Sequence, residues 1–211
     1  MSEQKNMIIV LDFGGQYNQL IARRVRESHV YCEVKSYKMP LEELKALNPK
    51  GIIFTGGPNS VYDEKSPHIA KEIFDWGIPI LGICYGCQLM AYTLGGKVET
   101  AASQSEYGKT EVTINSESKL FKNVEPEQIC WMSHTDYISE VPEGFVVTST
   151  TLACPTGSME DASRKLYGVQ FHPEVNHTPN GKDMLRNFLF EVCECEPDWV
   201  MSRYIDDQVK K

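Results

Sequence analysis

Cys84, His172 and Glu174 are the residues of this chain whose types and surroundings fit nucleophilic chemistry. Cys84 stands in Gly82-Ile83-Cys84-Tyr85-Gly86, with a glycine two residues to either side. The apolar run Ile78 to Ile83 has the length of a buried strand, and Gln88 to Leu94 reads as a helix closed by Gly95-Gly96. Strand, sharp turn with a nucleophile at its tip, then helix: this is the nucleophile elbow, with cysteine in place of serine. A turn so tight brings backbones close and often requires φ > 0, which glycine adopts freely. The elbow also sets the thiol at a helix N-terminus, where free N–H groups and the helix dipole favour thiolate. Most free cysteines are small buried hydrophobes. The paired glycines and the switch from strand to helix set Cys84 apart from that majority.

His172-Pro173-Glu174 closes another apolar run, Lys165 to Phe171. Residues two apart at a strand end point to the same side, and Pro173 suits a strand that stops there. A carboxylate beside an imidazole accepts its N–H, fixes its tautomer and stabilises the imidazolium. Together the three side chains make an activated-thiol triad, in which His172 takes the proton of Cys84 and Glu174 orients His172. His29, His68 and His177 have no such setting and read as structural. Acyl chemistry further needs donors for an oxyanion. The N–H of Tyr85, which follows the nucleophile, is one; Gly57, in the glycine loop Gly56-Gly57-Pro58, is the other candidate.

These groups need a scaffold that gathers strand ends. Met7 to Leu11 reads as a first buried strand and runs into Asp12-Phe13-Gly14-Gly15. Tyr17 to Ser28 follows as a helix carrying Leu20, Ile21 and Val25 inside, with Arg23, Arg24 and Arg26 as a solvated face. Val30 to Tyr37 alternates as a strand, Leu41 to Leu47 is a short helix stopped by Asn48-Pro49, and Gly51 to Thr55 is a buried strand. Ile69 to Trp76 is helical and leads to the elbow strand. Strands and helices alternating at this pitch imply right-handed crossovers and a three-layer α/β fold, with a mostly parallel sheet covered on both faces. In such sheets chemistry sits at the carboxyl ends of the strands. Asp12 to Gln16, Gly56 to Ser60 and the Cys84 turn all fall there. After Gly96 the texture changes. Thr110 to Ile114, Gln128 to Met132 and Phe145 to Ser149 are short strands of a smaller, antiparallel and partly exposed portion. Asp183 to Cys193 closes the fold as a helix striped with Leu185, Phe188, Leu189 and Val192.

A length of 211 residues suits one domain with a sizeable core, or a domain with a short appendage. The net charge of −8 argues against nucleic acid and anionic membranes as partners. No apolar run approaches membrane-spanning length, and Met1 to Lys5 lacks the apolar core of a signal peptide. Seven cysteines, an odd number without a small-scaffold framework, indicate the reducing cytoplasm.

With these pieces assembled, the sequence resembles the class I (triad-type) glutamine amidotransferase family, and within it the GMP synthetase branch, over nearly its whole length. The resemblance rests on Leu11-Asp12-Phe13-Gly14-Gly15-Gln16-Tyr17, Thr55-Gly56-Gly57-Pro58-Asn59-Ser60-Val61-Tyr62, the Cys84 elbow, Trp131-Met132-Ser133-His134-Thr135-Asp136 and Gly168-Val169-Gln170-Phe171-His172-Pro173-Glu174. It implies a flavodoxin-like sheet and hydrolysis of L-glutamine to glutamate and ammonia through a thioester on Cys84. His172 and Glu174 would complete the triad, with Gly57 and Tyr85 as the oxyanion hole. It also implies that Gln88 contacts the substrate, and that Asp136, held in a loop, takes its α-amino group with Ser133 nearby. His134 would line the site or an interface.

The resemblance implies no cofactor and no metal within this chain. ATP and magnesium would belong to an ATP-pyrophosphatase (synthetase) domain, whose Ser-Gly-Gly-x-Asp-Ser loop is absent here, as is any Walker motif. Residues 1–196 would then be the glutaminase domain, and 197–211 the start of a linker towards that partner. An isolated glutaminase of this kind is expected to turn over slowly until its partner orders the site. The chain departs from the family pattern at Cys87, Thr135 and Gly15, where Met, Gly and Ser are usual. Cys87 creates Cys84-Tyr85-Gly86-Cys87, which opens a rival reading as a thioredoxin-like thiol-disulfide oxidoreductase. That reading leaves Gly56-Gly57-Pro58 and His172-Pro173-Glu174 without a use. A metal module on Cys193-Glu194-Cys195 lacks the second spaced pair that such sites need.

Overall fold

The computed structural model describes residues 6–57, 60–115, 117–200 and 209. Apolar runs covered on both faces form its centre. Strands β1 (Met7–Asp12), β2 (Tyr31–Ser36), β3 (Gly51–Phe54) and β4 (Ile80–Ile83) alternate with helices α1 (Asn18–Glu27), α2 (Leu41–Ala46) and α3 (Tyr85–Thr93). Then come β5 (Lys97–Thr100), β6 (Glu106–Ile114), β7 (Glu127–His134), β8 (Asp136–Glu140), β9 (Val146–Thr150), β10 (Ser158–Asp161) and β11 (Leu166–Val169). Helix α4 (Gly181–Asn187) runs into a π-helical turn at Phe188–Val192. One nine-stranded sheet has the order β2-β1-β3-β4-β11-β10-β9-β6-β7, and β5 pairs with β8 separately.

The stretch β2-β1-β3-β4-β11 is parallel throughout, in the flavodoxin-like order, and β10, β9, β6 and β7 extend it antiparallel. Side chains alternate across it. Ile8, Val10, Ile53, Ile83 and Val169 pack with Ile21 and Val25 of α1 and Leu185 of α4 on one face. Ile9, Leu11, Ile52, Phe54 and Ile80 pack with Leu44 of α2 and Leu89 of α3 on the other. The three-layer architecture expected from the sequence is therefore present.

Several local expectations change. The helix after the elbow begins at Tyr85, directly beyond Cys84, because glycine at 86 lets the chain turn at once. Between Ile69 and Trp76 only a 3-10 turn forms, over Lys71–Asp75. Strands β5, β8 and β10 lie in stretches where the sequence shows no clear alternation. Asp136, expected in a loop, opens β8 and pairs with Thr100 of β5. Arg24 is not part of a solvated face: its side chain is 10% exposed and its Nε donates to the backbone oxygen of Glu174 at 3.0 Å. At the far end, Trp199 is buried against the domain, its backbone N–H donating to His29 O and its ring beside Tyr31. The rest of the tail, 201–208 and 210–211, lies outside the described residues, as do Pro58 and Asn59 of the glycine loop.

Candidate active site

The carboxyl ends of β1, β3, β4 and β11 open onto a cavity of about 500 Å³, within the range usual for small-molecule sites. At its floor is the elbow. Cys84 itself carries the left-handed backbone, with φ 54° and ψ −109°. Gly82 and Gly86 are outside the positive-φ set, so their role is close approach rather than the conformational freedom expected of them. A Cβ on Gly82 would stand 2.6 Å from Gly86 O, and one on Gly86 would stand 2.7 Å from both Cβ and O of Phe54. A strained residue at the tip of a tight turn is a frequent mark of a reactive position. Tyr85 is the first residue of α3, so its N–H has no carbonyl partner within the helix. It lines the cavity beside Gly57, whose Cβ would lie 3.0 Å from the Tyr85 ring.

His172 is brought to Cys84 by the pairing of β4 with β11. Ile83 is in register with Val169, and Cys84 N–H donates to Val169 O at 2.8 Å. His172 then follows three residues beyond the strand end, in irregular backbone just before a turn at Pro173 and Glu174. Its Nδ1 meets Glu174 Oε1 at 2.7 Å, and Cys84 is near enough for its sulfur to act on the ring's proton. The same-side geometry of His172 and Glu174 thus holds, though a turn and not strand pleating creates it. The backbone clamps the ring's position. His172 N–H donates to Trp131 O at 3.0 Å, and the Thr178 hydroxyl donates to His172 O at 2.7 Å while accepting from Trp131 N–H at 2.9 Å. The ring edge rests on Tyr17, centroids 5.5 Å apart. Burial disfavours the imidazolium, but the hydrogen bonds and charges of Cys84 and Glu174 outweigh it and lift the imidazole up to about 11.

The remaining candidates line the same cavity. Gln88 is buried and spends both amide protons inside the protein, on Asp136 O at 2.9 Å and Gln170 Oε1 at 3.1 Å. What it can offer a ligand is therefore the acceptor Oε1. Asp136 is 8% exposed; Thr100 donates to its Oδ1, while its Oδ2 is buried with no partner among the described residues. Such an orphan acceptor suits a cationic ligand group. Ser133 is exposed, and its backbone carbonyl lies 3.6 Å from Cys84 Sγ. Thr135 takes no left-handed conformation where the resemblance would put glycine.

Sequence reading missed Arg24, Thr178, Tyr17 and Gln170. Only Gln170 left a trace, as a carboxamide inside an apolar run. His134 lines the cavity as a buried residue, with Nδ1 at 2.7 Å from Asp136 O and Nε2 at 3.0 Å from Glu106 Oε1. Glu106, His134 and Cys154 are the one set of buried ligand-type side chains among the described residues close enough to share a metal. Each is already engaged within the protein: Glu106 Oε2 accepts from Thr151, and the Cys154 thiol donates to Thr156 O. Cys193 and Cys195 are buried thiols outside that set, both pushed up by burial.

Residues 9–192 match the family model for glutamine amidotransferase class-I. The chain belongs to that family. It is 59% identical to "GMP synthase [glutamine-hydrolyzing]" of Clostridium botulinum over 98% of its length, and 58% identical to the protein of the same name from Alkaliphilus metalliredigens. It spans 40% of the length of each. Among solved structures it resembles a putative GMP synthase subunit from Thermoplasma acidophilum, with a TM-score of 0.78, 29% identity, and coverage of 96% of this chain and 97% of that one. A glutamine amidotransferase from Thermotoga maritima, at 20% identity and a TM-score of 0.72, covering 90% of this chain and 99% of that one, shares the fold. The oxidoreductase reading finds no support in these relatives. Physically, Cys87 is fully buried in the cluster on the face opposite to that of Cys84, and burial pushes its thiol well up. A resolving thiol needs access and thiolate character, and Cys87 has neither.

Proposed function

We propose that this chain is the glutaminase part of a GMP synthetase, hydrolysing L-glutamine to glutamate and ammonia. The observation that carries the reading is His172 held beside Cys84 and Glu174 at the floor of a cavity that Asp136 and Gln88 also line. Substrate enters with its α-ammonium on Asp136 and its side-chain amide over Cys84. With the proton already held on His172, the Cys84 sulfur attacks the amide carbon. The N–H groups of Tyr85 and Gly57 take the resulting oxyanion. His172 returns its proton to the departing ammonia, leaving a thioester on Cys84. Water then enters, gives a proton to His172, and releases glutamate as the thiol re-forms. Glu174 keeps the ring oriented and offsets its charge in both halves. Gln88 supplies an acceptor and Ser133 shapes the wall beside the sulfur.

The partner in this reading is an ATP-pyrophosphatase domain that uses ATP and magnesium to activate xanthosine monophosphate, which the ammonia converts to GMP. The glutaminase unit, expected over 1–196, extends in this reading at least to Trp199, which packs beside Tyr31, and the residues after it lead towards that partner. The cytoplasm, suggested by seven cysteines in one chain, is the proposed compartment. The test is glutamate release from glutamine by this chain and by Cys84→Ala, each with and without the synthetase partner, ATP and xanthosine monophosphate. Slow release that the partner accelerates and Cys84→Ala abolishes is expected. Release that survives Cys84→Ala would sink the reading.

A further inference from the structure

Gln170 is fully buried, two residues before His172, and outside the roles described so far. It follows Val169, the last residue of β11, which is in register with Ile83. The side chain therefore arrives beside Cys84, 86 positions away in the chain, with Nε2 at 3.7 Å from Sγ. Which end of this carboxamide faces the sulfur is decided by groups of known polarity. The backbone oxygen of Asp136 can only accept, so the side chain of Gln88 must turn its nitrogen towards it. The second proton of that nitrogen then points at Gln170, whose oxygen must receive it. The nitrogen of Gln170 is left facing the sulfur. A reversed amide would set two donors against each other at Gln88 and an oxygen against the thiolate.

We propose that Gln170 is a catalytic hydrogen-bond donor to the Cys84 thiolate, locked in the donating orientation by Gln88 and the Asp136 carbonyl. The inference rests on Cys84 being the nucleophile of the proposed function and extends it. Ser133 O, 3.6 Å from the sulfur, accepts from a thiol but repels a thiolate. His172 counters that from one side and the Gln170 N–H counters it from another. A donor to sulfur is worth more when the sulfur is charged, so it favours the attacking form. The arrangement also ties the nucleophile to the wall that holds Asp136, through one continuous row of hydrogen bonds.

The test is the pH profile of Cys84 alkylation by iodoacetamide, read at that residue by peptide mass spectrometry, in this chain and in Gln170→Met and Gln170→Glu. Methionine keeps the volume and removes the donor; glutamate keeps the shape and sets an oxygen at the sulfur. In Gln170→Met the midpoint should rise by about one pH unit, so that alkylation below it slows about tenfold. Glutamine hydrolysis should lose about tenfold in kcat with KM within about twofold. A spacer role would leave the profile unmoved. An unshifted midpoint in Gln170→Met overturns the proposal; should that variant fail to fold, Gln170→Glu decides by the same criterion. A shifted midpoint in a protein whose parent chain releases no glutamate even with its partner would instead overturn the glutaminase reading and leave the donor role standing.

Discussion

Glu174→Gln tests the core of the site with almost no change of shape. Glu174 is 1% exposed, and its Oε1 holds His172 Nδ1 at 2.7 Å. The change keeps an oxygen to accept that N–H but removes the charge that faces the imidazolium. A buried hydrogen bond to a charged group contributes roughly 1.5–3 kcal/mol. At about 1.36 kcal/mol per tenfold, the variant should lose roughly 10- to 150-fold in kcat, with KM nearly unchanged. Its amide NH2 also takes the place of Oε2, which has no partner among the described residues, so some fold stability is lost as well. The pH dependence of that loss has a fixed sign. The folded protein holds the His172 imidazole up at about 11 against an ordinary value of 6.5. The stability tied to its proton is complete below 6.5 and disappears as pH rises through 11. Removing the Glu174 charge takes away part of it, so the gap in urea-unfolding free energy between the two proteins should be widest near pH 6.5 and narrow at pH 9.5 and above. Steady-state glutaminase kinetics and unfolding at several pH values are the assays. A kcat within threefold of the parent, or a gap that widens with pH, would refute the account of Glu174.

Asp136→Asn should raise KM for glutamine by about tenfold or more with little change in kcat, since it removes a charge meeting the substrate ammonium; an unchanged KM would take Asp136 out of substrate binding. Gly82→Ala drives a Cβ to 2.6 Å from Gly86 O and 2.8 Å from Cys87 N, backbone atoms that cannot yield, whereas Gly95→Ala meets nothing within 4 Å at φ +93° and costs only local strain. Thermal unfolding should therefore fall further for Gly82→Ala, by about 1–3 kcal/mol or more, and equal losses would remove the close-approach argument. Inactivation of Cys84 by hydrogen peroxide should proceed at the same rate in Cys87→Ala, because Cys87 faces the other side of the sheet; clear protection or sensitisation by that change would show the two sulfurs meeting.

Parallel topology was legible because β1, β3, β4 and β11 are apolar on both faces and separated by segments long enough to cross over. Strands β5, β8 and β10 were not, since they are short and take their pattern from a neighbour: Asp136 is a strand residue only because Thr100 pairs with it. Arg24 illustrates the same limit within the site. Its sequence neighbours Arg23 and Arg26 suggest a wet helix face, and only the approach of the Glu174 loop turns it inward. The positive φ of Cys84 was assigned in expectation to the glycines around it, because steric cost at a single residue is judged from local sequence while the need for close approach comes from Phe54 on another strand.

What the chain's own letters determined are the groups capable of chemistry and the local shapes that carry them: a thiol at an elbow, an imidazole and carboxylate two apart, glycines where chains must touch. These are short-range properties, set by covalent geometry and by the periods of helix and strand. Which of those groups meet was decided by the register of β11 against β4, which lays Gln170 and His172 beside Cys84, and by the burial that follows. Distances across a sheet and the loss of water around a charge arise only when remote segments pack, so the orphan oxygen of Asp136, the amide polarity of Gln170 and the raised imidazole of His172 belong to the folded molecule alone.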